Sequence, residues 1–225
     1  MLSLYYGGTF DPVHNGHLAI ARAARDELAV PVRLMPAADP PHRAPPGAHA
    51  SQRAHMLDLA VAGEAGLSVD RRELERARRQ PQARSYTVDT LHELRGELGA
   101  QAPIALLVGA DSLVSLPTWK SWRELFGLAH FVVAERPGSP LDGELAAELA
   151  AELQGRWHER PEALQATPAG RLYRLHQPLQ PESASDLRRR IAAGQPWRDL
   201  LPAAVAAYIA DERPYFTADR QDAWV

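Results

Sequence analysis

The sequence contains no cysteine. That removes disulfides, thiol nucleophiles and thiolate metal sites, and it fits a reducing compartment. Lysine is almost as scarce: Lys120 is the single one, and the other basic side chains are arginine and histidine. No G-x-x-x-x-G-K-[ST] loop can be written, so P-loop chemistry is excluded. A Schiff-base mechanism would rest on Lys120 alone, between Trp119 and Ser121. No stretch approaches the roughly 20 apolar residues of a membrane span. Met1-Leu2-Ser3-Leu4 runs straight into an apolar segment without the pattern of a signal peptide. The formal net charge of -3 offers no positive excess for nucleic acid or a membrane surface. The expectation is a cytoplasmic protein with neither partner, and its oligomeric state is left open. There is no internal repeat and no low-complexity tail.

What is present alternates between strand and helix, the pattern of a doubly wound α/β domain with a mostly parallel sheet. Its 225 residues suffice for one core. Apolar runs predict strands over Leu2 to Tyr6, Val32 to Met35, Leu67 to Asp70, Ile104 to Val108, His130 to Ala134 and Leu172 to Leu175. Helical spacing of Leu18, Ala21, Ala24 and Leu28 predicts the first helix, and Ser51 is placed to cap the next. Ser85 opens a helix running to Leu98, and two more follow from about Ser185 and Pro202. Trp119, Trp122 and Leu125 are expected on one short helix. The basic segment Arg71 to Arg84 reads as a solvated hairpin or loop, and residues 139–170 as an insertion with one helix near Glu144 to Leu153.

The most informative run is Gly7-Gly8-Thr9-Phe10-Asp11-Pro12-Val13-His14-Asn15-Gly16-His17. It joins the first strand to the first helix through a glycine turn, which lets backbone approach a ligand and aims helix N–H groups at an anion. His14 and His17, three residues apart, are expected on one side of the first helical turn. A phosphate there would meet backbone donors, the helix dipole and two imidazoles. An ordinary structural turn has no use for the histidines. A dinucleotide fold would want G-x-G-x-x-G at this place, which is absent. Zinc would need a third ligand, and the remaining histidines are scattered.

The string Gly8-Thr9-Phe10-Asp11-Pro12-x-His14-x-Gly16-His17 resembles the signature of the H-x-G-H nucleotidylyltransferases. Further segments are similar to the bacterial nicotinate-nucleotide adenylyltransferases within that group. These are Pro40-Pro41-His42-Arg43, Gln52-Arg53, Ser85-Tyr86-Thr87-x-Asp89-Thr90-Leu91, Gly109-x-Asp111-Ser112, Trp119, Arg136-Pro137-Gly138, and Ser183-Ala184-Ser185-x-x-Arg188. The resemblance implies adenylyl transfer from ATP to nicotinate mononucleotide, giving deamido-NAD and pyrophosphate in NAD biosynthesis. It implies His14, His17 and Arg188 as catalytic residues. Gly8, Thr9, Phe10, Gly109, Asp111, Ser183 and Ser185 join them around ATP.

On the acceptor side it implies His42, Arg43, Arg136, a stacking Trp119, and backbone N–H groups at Thr87 and Lys120. Either tryptophan could instead pack the core, a role that suits Trp122 better than Trp119. No paired carboxylates form a metal cage in the sequence, so Mg2+ is expected mainly as a passenger on ATP. The pattern departs at Ala37-Ala38, where some members carry asparagines, and at Glu182, Ala184 and Ser185, where Ile-Ser-Ser-Thr is commonest. These departures imply altered acceptor contacts and modest tuning of ATP binding. A non-catalytic nucleotide sensor could dispense with His14 or Arg188, and both are present. An oxidoreductase would need a ribose-binding acid after the second strand, and Asp39 comes late for that.

Overall fold

The structure, a computed structural model, describes residues 1–38, 47–80, 85–135, 143, 145–178 and 182–216. Seven parallel strands form one sheet in the order β3-β2-β1-β4-β5-β7-β6. They are β1 (Ser3–Gly8), β2 (Val32–Pro36), β3 (Leu67–Val69), β4 (Ile104–Gly109), β5 (His130–Ala134), β6 (Trp157–His158) and β7 (Leu172–Arg174). The inner strands β4 and, beyond His130, β5 are continuous apolar runs because helices cover both faces.

One face carries α1 (Asn15–Leu28), α2 (Ala50–Val61), α8 (Ala184–Ala193) and α9 (Ala203–Glu212), whose Leu18, Met56, Leu187 and Val205 enter one core layer. The other carries α4 (Thr87–Leu98), α5 (Ala110–Val114), α6 (Leu125–Leu128) and α7 (Ala147–Leu153), with Leu91, Leu113, Leu125 and Leu149 in the second layer. The chain goes from β1 outward to β2 and β3, then returns to β4 on the other side of β1. That reversal opens a crevice at the carboxyl ends of β1 and β4, where ligands of such sheets bind.

Three local expectations are corrected. Ser51 lies inside α2, whose N-cap is His49. Within Arg71 to Arg84, residues Arg72–Arg79 form a helix, α3, and 81–84 lie outside the described residues. Arg72 and Arg76 are partnered rather than solvated, while Arg78 and Arg79 are exposed. Arg72 pairs with Asp70 at 2.9 Å and Glu97 at 3.1 Å, and Arg76 pairs with Glu93 at 2.9 Å. Trp119, Trp122 and Leu125 do not share a helix. A 3-10 turn, Leu116–Thr118, ends at Trp119, and Ser121 then takes a left-handed φ of 51° before α6. A helix cannot pass through that backbone.

In the segment 139–170, α7, the two-residue strand β6 and a 3-10 turn (Pro161–Gln165) are described, and β6 adds the edge strand beyond β7.

Candidate active site

The turn after β1 is built tightly. A Cβ on Gly8 would lie 2.9 Å from the ring of Phe10, so glycine is required there. Phe10 itself has a φ of 50°, is buried, and packs edge-on against His17 with centroids 5.0 Å apart. Arg53, only 1% exposed, fixes the loop from beneath. Its guanidinium donates to the carbonyls of Thr9 at 2.6 Å, Ala38 at 2.9 Å and Ala48 at 3.2 Å.

The histidines differ from the expected side-by-side pair on a helical turn. His14 precedes the helix as its N-cap, and its Nδ1 accepts the N–H of His17 at 3.3 Å. The His17 Nδ1 accepts the N–H of His14, also at 3.3 Å. Both rings therefore use Nδ1 as an acceptor, which places the proton of each neutral imidazole on Nε2. The rings stack at 3.7 Å between centroids. This reciprocal cap consumes two helix N–H groups and turns both rings into oriented donors.

Arg188 reaches the same turn from α8. Its Nη1 donates to the Asp11 carbonyl at 2.5 Å and lies 3.4 Å from the Asp11 carboxylate. That carboxylate is held by the N–H groups of Gly47 at 2.7 Å and Ala48 at 3.1 Å, and by the Tyr215 hydroxyl at 2.7 Å. Burial, and then the Asp11 charge, push the Tyr215 phenol well above its usual range. Asp11, Arg53 and Tyr215 were not singled out as site residues by sequence. Asp11 and Arg53 stood inside quoted motifs, while nothing local marks Tyr215.

A cavity of about 390 Å³ gathers every residue assigned to ATP: Gly8, Thr9, Phe10, His14, His17, Gly109, Asp111, Ser183, Ser185 and Arg188. Gly109 caps α5, and a Cβ there would fall 2.5 Å from Asp111 Oδ1. A second cavity of about 120 Å³ is mostly apolar and brings together Thr87, Trp119 and Lys120. Trp119 sits partly exposed at its wall, whereas Trp122 is 7% exposed and packs against Phe126. Lys120 Nζ lies 4.5 Å over the Tyr86 ring and 3.5 Å from Asp89. His42, Arg43 and Arg136 lie outside the described residues.

Glu73, absent from the sequence-based set, also lines the second cavity. It accepts from Ser85 Oγ and Thr90 Oγ1, each at 2.9 Å. Burial pushes its carboxyl above the usual carboxylate range, against the opposing pull of those hydroxyls and Arg76. Among the described residues, no three His, Asp or Glu side chains gather to hold a metal ion. No described helix is long and apolar enough to cross a membrane.

The two cavities share Gly7, Gly8, Thr9 and Ser112. A parallel sheet whose first strand ends in such a turn, beneath a cation cluster and beside a second cavity, has the architecture of a nucleotidylyltransferase. The cytidylyltransferase-like family model matches residues 5–190. The chain is 66% identical over 209 residues to the "Probable nicotinate-nucleotide adenylyltransferase" of Stenotrophomonas maltophilia (strain K279a), covering 93% of this chain and 94% of that one. The protein of the same description from Xylella fastidiosa (strain 9a5c) is 50% identical over 214 residues, covering 95% and 96%.

Among solved structures, Plasmodium falciparum nicotinic acid mononucleotide adenylyltransferase complexed with NaAD superposes with a TM-score of 0.69. It covers 95% of this chain and 97% of that one. At 14% identity that likeness is one of fold. The chain belongs to the cytidylyltransferase-like family and, within it, to the nicotinate-nucleotide adenylyltransferases.

Proposed function

We propose that the chain transfers the adenylyl group of ATP to nicotinate mononucleotide by direct in-line displacement. The carrying observation is the pair of cavities that meet at Gly7 to Thr9, one flanked by His14, His17 and Arg188 and the other by Trp119 and Thr87. A phosphate oxygen of the acceptor attacks the α-phosphorus, and the bond from that phosphorus to the oxygen bridging to the β-phosphorus breaks. Pyrophosphate leaves with the electron pair. The attacking oxygen is already anionic, so the work is alignment and charge neutralisation.

The Nε2–H groups of His14 and His17 and the guanidinium of Arg188 serve the triphosphate, with the hydroxyls of Ser183 and Ser185 beside them. Thr87 opens α4, so its N–H has no carbonyl partner within the helix and suits the acceptor carboxylate, together with the N–H of Lys120. Trp119 offers the stacking surface for the pyridine, and His42, Arg43 and Arg136 are assigned to the acceptor by resemblance. Asp11 spends its carboxylate on Gly47, Ala48 and Tyr215, so this donor set fits Mg2+ held by ATP phosphates and water better than a protein cage. Bound that way, Mg2+ supplies charge neutralisation on the departing pyrophosphate. The same reading takes 1–225 as one catalytic unit with 139–170 inserted.

The test is pyrophosphate release from ATP with nicotinate, nicotinamide and pantetheine acceptor phosphates in parallel. Release that depends on nicotinate mononucleotide is expected. Release driven by the pantetheine derivative, or by none of them, would overturn the reading.

A further inference from the structure

Thr87 opens α4 from a turn that no side chain caps, since its N-cap, Tyr86, is in extended backbone and makes no side-chain hydrogen bond to the helix. The N–H groups of Asp89 and Thr90 return to the Tyr86 carbonyl at 3.1 and 3.2 Å. Those of Thr87 and Val88 have no carbonyl within the helix. A capping side chain would occupy such donors; here the turn is gripped from outside instead. Glu73, buried on α3, accepts the Ser85 hydroxyl on Oε2 and the Thr90 hydroxyl on Oε1, each at 2.9 Å. Ser85 precedes Thr87 and Thr90 follows it, so the carboxylate brackets the turn. Arg76, on the same helix as Glu73, donates to the same two hydroxyl oxygens at 3.1 and 2.6 Å. Each hydroxyl thus gives its proton to Glu73 and accepts from Arg76, which fixes its direction at both ends. Ser85 and Thr90 are themselves buried.

We propose that Glu73 is a positioning residue for the acceptor: by clamping Ser85 and Thr90 it holds the first turn of α4 where the Thr87 N–H meets the acceptor carboxylate. Glu73, Ser85 and Thr87 all line the smaller cavity, whereas none of Glu73, Arg76, Ser85 and Thr90 lines the larger one. Loosening the clamp therefore acts on the acceptor and leaves the nucleotide cavity alone. A hydrogen bond weakens steeply as its donor turns out of line. A small rotation of this turn thus loses recognition of the carboxylate without closing the pocket. The inference rests on the acceptor assignment proposed above.

The test combines steady-state kinetics with nicotinate and nicotinamide mononucleotide, ATP binding by calorimetry without acceptor, and thermal unfolding. Glu73→Gln keeps the size of the side chain and one carbonyl acceptor, and Glu73→Ala removes both acceptors. Ser85→Ala combined with Thr90→Val removes the two hydroxyls. Glu73→Ala is expected to raise the KM for nicotinate mononucleotide roughly ten- to hundredfold, with kcat and ATP affinity nearly unchanged. Its kcat/KM preference for nicotinate over nicotinamide should fall toward unity, and Glu73→Gln should keep part of that preference. The hydroxyl variant should match Glu73→Ala, and the triple variant should be no worse, since groups acting through one clamp are not additive. A merely structural Glu73 would lower Tm and weaken ATP and acceptor alike, with the preference unmoved. That result, an acceptor KM unchanged in every folded variant, or additive losses in the triple variant would overturn the assignment. Glu73→Gln and the hydroxyl variant decide the matter where Glu73→Ala does not fold. Failure of wild type to use nicotinate mononucleotide would instead remove the proposed function on which the inference rests.

Discussion

The hydroxyl of Tyr215 donates to Asp11 Oδ1 at 2.7 Å, joining positions 204 residues apart. Asp11 in turn offers its backbone carbonyl to Arg188 Nη1 at 2.5 Å. The cation assigned to the triphosphate is thus aimed by the Asp11 carbonyl and, at 3.4 Å, by the carboxylate that a distant tyrosine helps to hold. Tyr215→Phe removes one donor from a buried charge, and the expected loss of stability is about 1–3 kcal/mol. We expect the KM for ATP to rise several-fold with little change in kcat, because Arg188 remains but is held less firmly. Thermal unfolding and steady-state kinetics check both parts; an unchanged KM would separate Tyr215 from Arg188.

The reciprocal cap gives the histidines two separable duties. His14→Ala and His17→Ala should each lower kcat by roughly 10²–10³, the loss typical of one preorganised donor. ATP binding should suffer far less. Each should also destabilise the protein by about 0.5–2 kcal/mol through loss of a helix cap. His14→Asn keeps a short capping acceptor, so it should recover stability without recovering turnover. Parallel measurement of kcat and Tm distinguishes the two duties.

Nicotinate mononucleotide should be preferred over nicotinamide mononucleotide. Against N–H donors at Thr87 and Lys120 a carboxylate accepts on both oxygens, whereas an amide nitrogen confronts one of them with another donor. One unpaired buried group costs about 1–3 kcal/mol, a tenfold to hundredfold preference. The comparison is kcat/KM for the two acceptors at fixed ATP and magnesium. Equal values would mean that these donors do not read the carboxylate.

A pH effect on stability follows from His130, which is 0% exposed. Its Nδ1 accepts the Arg171 N–H at 3.1 Å and its Nε2 lies 2.9 Å from the Thr167 carbonyl, an arrangement that needs the neutral ring. Burial pushes its pKa down. The unfolded chain takes up this proton near the ordinary value of about 6.5 while the folded chain resists it. His130 therefore contributes its full stability above that pH, and loses it as pH falls toward the lower folded value. In denaturant titrations at pH 8 and pH 5.5, the stability gap between wild type and His130→Gln should narrow at the lower pH. A constant gap would assign the ring no proton-linked role.

The inner strands were legible because parallel strands buried on both faces read as uninterrupted apolar runs, Ile104 to Val108 being the clearest. The residues gathered in the larger cavity were legible because a glycine turn and paired histidines mark themselves locally. α3 was not, since besides the neighbouring Asp70 the partners of Arg72 and Arg76 are Glu97 and Glu93 on α4, distant in sequence. The break after Trp119 was also hidden, because Ser121 adopts a backbone that usually advertises itself through glycine. Which tryptophan packs the core is decided by tertiary position alone. The capping role of His14 and the anchorage of Tyr215 depend on geometry that no spacing encodes.

The span between Asp11 and Tyr215 also has a meaning for biosynthesis. A chain leaving the ribosome presents the glycine turn and both histidines first, and domains generally fold as units in that direction. Arg188 and Tyr215 come after β7, beyond every described strand of the sheet in sequence. A nascent chain can complete β1 through β7 and still lack the guanidinium and the phenol that finish the nucleotide site. The histidine turn and its distant anchors are therefore made at two separate stages of synthesis, the anchors only after every described strand.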